Sequence, residues 1–134
     1  MLYPMFMLVL LTNVVLILSA RTRFASVKEG KVPANYYALM TGSDVPEFVA
    51  KTSRHLNNLF EVPVLFYAAG ATYLAMDMAG SFTIWCAWTF VAARFIHTCI
   101  HLSYNNIMHR FLIFGLGTLS VLGMWLGILA EARV

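Results

Sequence analysis

Charge is scarce in this chain. Of its 134 residues 11% are charged and 60% hydrophobic, and the mean hydropathy is +0.75. That balance excludes an ordinary soluble domain and describes an all-α integral membrane protein of single-domain length, residues 1–134. No Lys or Arg precedes the first apolar run, whereas Arg21 and Arg23 follow it. A signal peptide carries its positive charge in front, so this run reads as a retained span. The connection from Asp77 to Ser81 also lacks a basic residue, while Arg21, Arg23, Lys28, Lys31, Lys51 and Arg54 gather between the first two runs. The positive-inside rule then places the first and third connections in the cytoplasm and both termini on the opposite side, across the inner membrane if the host is a bacterium. The pI near 9.1 follows from this topology. It does not point to nucleic acid, because basic residues flanking a span orient it or meet anionic membrane lipids. Cysteine is equally sparse: Cys86 and Cys99 lie thirteen positions apart in one apolar run. About 20 Å of helix separates them, so they cannot bridge within the chain and read as buried free thiols.

What is present is apolar sequence in four runs, roughly residues 2–20, 56–76, 79–100 and 111–130. Each is close to the ~20 residues that cross ~30 Å of hydrocarbon as a helix. The expected helices cover 2–20, 44–76, 79–103 and 106–131, with a cytoplasmic loop at 21–43 that holds turn formers at Gly30, Pro33, Asn35, Gly42 and Ser43. Asp44 and Glu47 make a capping-box pattern, with Pro46 in the first turn, so the second helix is expected to begin at Asp44 and to project from the bilayer. Pro63 removes a backbone donor and is expected to kink that helix. Asn13, in mid-span, is expected to pair with a neighbouring helix, and Gly123 with Gly127 forms a GxxxG that suits tight helix contact.

Within this apolar frame the ionisable residues fall into two sets. Arg94, His97 and His101 recur at i, i+3 and i+7 on one face of the third span, with Arg110 beyond the following turn. Arg54, Asn58 and Glu61, at i, i+4 and i+7, occupy one face of the second at the same depth. An unpaired charge in a span costs on the order of 2.5–3.5 kcal/mol even on insertion scales, so these residues are candidates for a site, and a Glu61–Arg94 pair is the simplest mutual neutralisation. Asn105 or Asn106 is the expected cap of the fourth helix. That puts Arg110 in its first turn, where the helix dipole already favours an anion.

Taken together, Arg54, Asn58 and Glu61 followed by Arg94, His97, His101 and Arg110 resemble the membrane-associated proteins in eicosanoid and glutathione metabolism, the MAPEG family, in a bacterial-type form. The resemblance implies a homotrimer of four-helix subunits that binds glutathione between subunits near the cytoplasmic face, and a transferase or peroxidase acting on a lipophilic small molecule. It implies that Arg54, Asn58 and Glu61 hold the peptide, that Arg94, His97 and His101 line or support the pocket, and that Arg110 holds the sulfur as a thiolate. Arg21 or Arg23 would match the basic residue closing the first helix. Family members with activity usually carry Tyr where this chain has His101, and some carry Ser where it has Phe111. The second departure leaves Arg110 to act with Tyr104, Ser103 or water. The residues on their own agree, since a polyanion with one ammonium wants several Arg, one carboxylate and amides.

Two other classes of function are compatible with the sequence. A non-catalytic scaffold or partner subunit would keep the fold alone. A haem or metal protein would use His55, His97, His101 and His109, although Arg94 and Arg110 beside them oppose a cation, and no metal ligand is assigned.

Overall fold

A chain in hydrocarbon has to satisfy each backbone N–H and C=O within its own segment, so charge-poor runs become helices. The computed structural model describes residues 1–39 and 45–132: α1 is Leu2–Lys28, α2 Tyr36–Leu39, α3 Glu47–Asn58, α4 Val62–Ala75, α5 Ser81–Leu102 and α6 Ile107–Glu131. Among the described residues there is no strand. Among the described residues three helices, α1, α5 and α6, are long and apolar enough to cross a membrane. The protein is an all-α integral membrane protein.

The second expected helix is not continuous. It is interrupted at residues 59–61, and α3 and α4 are separate helices. The cause is Pro63, which has no N–H to donate and crowds the carbonyl one turn before it. It occupies the first turn of α4, where both defects are tolerated, and Glu61 takes the N-cap position with φ −86° and ψ −93°. The interruption leaves α4 with 14 residues, about 21 Å and short of the hydrocarbon thickness. Asp44, the expected start, lies outside the described residues. α3 begins after Pro46 without a side-chain cap, and its first turn is braced by Glu47–Lys51 at 2.7 Å. That contact, chiefly its hydrogen bond, holds the exposed Glu47 carboxyl below the ordinary carboxylate range.

α1 continues past its apolar run to Lys28, because this extension packs against α2 and α3. Thr22 bonds Thr52 of α3 at 3.1 Å, and Ser26 bonds Tyr37 of α2 at 2.7 Å. Among the described residues of the chain Asn13 finds no partner on another helix, and its side-chain amide donates to Val9 O of its own helix at 2.9 Å.

The most extensive packing joins α5 to α6. A methyl group at Gly123 would lie 2.9 Å from Cys86 Sγ, and one at Gly127 would collide with Thr83 Oγ1, so both glycines permit the approach. Behind this seam is an apolar core, including Leu8, Leu11 and Val15 of α1 with Met124 and Ile128 of α6, in which Phe66 of α4 stacks on Phe90 of α5 at 4.7 Å. The expected tight turn after α4 is present, with Asp77 at φ 51°. Its end is tied down by Tyr73 Oη donating to Gly80 O at 3.3 Å and Ala79 N donating to Glu131 Oε1 at 3.0 Å. The outward faces are coated with apolar side chains such as Val14, Ile17, Leu119 and Leu126, as a lipid-facing surface requires.

Candidate functional site

The polar interior lies at the opposite end from the Asp77 turn, where α3, α5 and the start of α6 meet. Asn106 caps α6 by accepting from His109 N at 3.0 Å, which places Arg110 in the first turn. Arg110 Nη1 donates to Asn105 Oδ1 at 2.8 Å, and its Nε is buried without a hydrogen-bond partner. Beside it opens a cleft of about 300 Å³ lined by Asn58, Glu61, His97, Ile107, Arg110, Phe111 and Phe114. Four of the residues expected at the site, Asn58, Glu61, His97 and Arg110, therefore surround one space.

The others do not join them in this way. Arg54 is exposed and lines a separate cleft of about 260 Å³ with Tyr36, Tyr37, Ser53 and Asn57. Its charge nevertheless reaches Arg110 and His101. Arg21 is exposed on α1, whereas Arg23 is anchored: Ser53 Oγ accepts from its Nε at 3.3 Å and its Nη2 at 3.1 Å, and the guanidinium lies 5.8 Å from the Tyr37 ring centroid. The two candidate helpers of Arg110 point elsewhere. Tyr104 Oη is bonded to His109 Nδ1 at 3.0 Å, and Ser103 Oγ donates back to Cys99 O.

The expected Glu61–Arg94 ion pair is absent. Among the described residues the ion pairs are Lys31–Glu29 and Lys51–Glu47. The interruption before α4 turns Glu61 outward and exposes it, so only its field reaches Arg94. Arg94 is 2% exposed, and all three of its guanidinium nitrogens lack a hydrogen-bond partner. Its charge is instead held between two aromatic faces, Phe90 at 5.1 Å and Phe114 at 5.0 Å.

Around Arg94 stands a histidine cluster that includes a residue the charge pattern did not select. His55 of α3 is fully buried, with ring centroids 4.9 Å from His101 and 5.5 Å from His97, and the latter two are 5.8 Å apart. The hydrogen bonds fix two of the tautomers. Thr98 Oγ1 donates to Arg94 O at 2.8 Å, so its single hydrogen is committed and His55 Nε2–H donates to it, also at 2.8 Å. A carbonyl only accepts, so His101 Nε2–H donates to Lys51 O at 3.2 Å. His55 lies in α3, outside the membrane-spanning helices. Burial, reinforced by His101, His97, Arg94 and Arg110, pushes its imidazole down to about 3 and holds it neutral. The spacing of Val49, Thr52 and His55 on the buried face of an amphipathic α3 is the signal that would have found it. Among the described residues no group of three His, Cys, Asp or Glu side chains is placed to hold a metal ion.

Neither a curated protein nor a solved structure matches this chain. The family description that does match is the MAPEG family, over residues 1–130, nearly the whole sequence that carries the helices, the cleft and the buried histidines. The chain belongs to the MAPEG family.

Proposed function

We propose that this protein binds glutathione at the Arg110 cleft and raises its thiolate fraction for attack on a lipophilic electrophile. The observation that carries the proposal is the convergence of Asn58, Glu61, His97 and Arg110 on one cleft whose remaining wall is apolar. Glutathione offers two carboxylates, an ammonium, two amides and a thiol. The exposed Glu61 carboxylate accepts the ammonium, the Asn58 side chain pairs with an amide, and Arg54 of the neighbouring cleft supplies a fork for a carboxylate. Arg110, oriented by Asn105 and backed by the α6 N-terminus, holds the sulfur as an anion. A preference of about 2.7 kcal/mol for the thiolate lowers a thiol pKa by about two units, within reach of one oriented Arg in a site of low dielectric. Ile107, Phe111 and Phe114 form the side from which an apolar electrophile approaches.

The same proposal takes residues 56–75, the end of α3 with α4, as the second of four spanning segments, leaves the rest of α3 in the cytoplasm with the basic end, and assembles the subunit as a homotrimer. A ligand shared between subunits would unite the Arg54 and Arg110 clefts, which are separate within one chain.

One observation favours the non-catalytic alternative. His101 is turned to the Lys51 carbonyl, and Phe111 stands beside Arg110 without a hydroxyl to offer, so the site is poorer in donors to sulfur than active family members would lead one to expect. Calorimetry of the detergent-solubilised protein with glutathione, read together with thiolate absorbance, separates the two. Binding lost in Glu61→Gln and thiolate signal lost in Arg110→Ala support the transferase. Absence of wild-type binding in a folded preparation leaves the scaffold.

A further inference from the structure

A second groove, larger than the Arg110 cleft, shares no lining residue with it. It opens along the last two turns of α1, has a volume of about 560 Å³, and is walled by Phe24, Val27, Ala34 and the ring of Tyr37, with Arg23 and Lys28 on its rim. It begins at Ala20, where the uncharged run of α1 ends, so it lies at the level where hydrocarbon gives way to headgroups. Phe24, 76% exposed, is an aromatic side chain at that boundary.

The cations on the rim differ in kind. Arg23 is preorganised, with two nitrogens on Ser53 and its plane over Tyr37, which Ser26 fixes in turn at 2.7 Å. Lys28 is exposed, and among the described residues no carboxylate pairs with either cation; the adjacent Glu29 is taken by Lys31 at 2.7 Å. Two uncompensated positive charges over an apolar trough call for an occupant with an anionic head and a hydrocarbon body. A small anion leaves the trough wet, and a neutral or zwitterionic lipid leaves the cations without a net counter-charge.

We infer that this groove binds an anionic glycerophospholipid, its phosphodiester between Arg23 and Lys28 and an acyl chain against Phe24 and Val27. The lipid seats the end of α1, and with it the Ser53 anchor on α3, against the bilayer surface.

Native mass spectrometry of the full chain in detergent tests this, by titration with phosphatidylglycerol and phosphatidylcholine of matched chains and with glycerol phosphate as competitor. Wild type is expected to retain phosphatidylglycerol preferentially. Lys28→Gln and Arg23→Gln should each weaken it about fivefold, the usual worth of one cation near an anionic headgroup. Ala34→Trp, which fills the trough and leaves both charges, should displace it, and Arg21→Gln, off the groove, should not. Lys28 is exposed and among the described residues its side chain makes no hydrogen bond or ion pair, so Lys28→Gln decides the charge requirement even if Arg23→Gln fails to fold. Equal retention of the two lipids, an equal loss in Arg21→Gln, indifference to Ala34→Trp, or full competition by glycerol phosphate would each overturn the inference.

Discussion

His55 Nε2 donates to the Thr98 hydroxyl over 2.8 Å and so joins α3 to α5 at the edge of the histidine cluster. Thr98 passes its own hydrogen to Arg94 O, one turn back in α5. The bond therefore couples the helix that carries Arg54 and Asn58 to the helix that carries Arg94 and His97. Residues of the proposed site lie on both sides of it, and His55 belongs to neither group.

His55→Ala should accordingly destabilise the protein by roughly 2–4 kcal/mol, since it opens a cavity and removes the donor from a buried hydroxyl. His55→Gln, which keeps a donor near the same place, should recover part of the loss. Unfolding in detergent monitored by helical ellipticity measures both. Equal stability of His55→Ala and wild type would show that the bond is idle.

The same residue gives acid sensitivity of defined sign. Its imidazole titrates near its ordinary value of about 6.5 when unfolded and is pushed to about 3 when folded. Between those values the unfolded chain binds more protons, so stability should be full above pH 6.5 and fall progressively as pH is lowered toward 3. His55→Phe should flatten that part of the profile. An unchanged slope in His55→Phe would assign the acid sensitivity to other groups.

Much of this architecture is legible in the sequence, and the departures come where Pro63 or tertiary packing overrides local spacing. The existence of the long apolar helices α1, α5 and α6, the Asp77 turn, the Asn106 cap and the grouping of Asn58, Glu61, His97 and Arg110 follow from local rules of hydropathy, capping and spacing, whereas the extension of α1 to Lys28 does not. The Glu61–Arg94 pair does not form because it requires one helical phase from Arg54 to Glu61. Pro63 resets that phase, turning Glu61 into an N-cap. His55 escapes a reading by charge, which draws the eye to Arg54, whereas its role depends on which face of α3 meets α5. Arg94 finds two phenylalanine rings rather than a carboxylate, and one of them, Phe114, comes from a helix that spacing alone cannot bring near.

Arg94 itself can be tested through that environment. A buried guanidinium with no hydrogen bond carries a desolvation cost that aromatic faces offset only in part. Arg94→Met, similar in length and apolar, should thus leave stability within about 1 kcal/mol of wild type or raise it, while weakening glutathione binding if the charge supports the cleft. Arg94→Lys, which keeps the charge but not the plane that lies over Phe90 and Phe114, should be the less stable of the two. Paired unfolding and calorimetry separate the effects, and severe destabilisation by Arg94→Met would show that the cation is structurally required.

The glycines of α6 allow a comparison within one helix. A methyl group at Gly127 meets Thr83 Oγ1, the side chain of a residue only 1% exposed, and one at Gly123 comes within 2.9 Å of Cys86 Sγ, whereas at Gly115 nothing lies within 4 Å. Gly127→Ala must push α5 from α6 or force Thr83 off its rotamer, at a cost of about 1–3 kcal/mol. Gly115→Ala meets no neighbour and gains helix propensity, so it should be neutral or stabilise by up to about 1 kcal/mol. Since the α5–α6 seam sets the distance between His97 and Arg110, Gly127→Ala should also weaken the proposed glutathione binding from the far end of the helix. Matched unfolding and binding curves check this, and a Gly127→Ala protein as stable as Gly115→Ala would mean that the seam accommodates a methyl group.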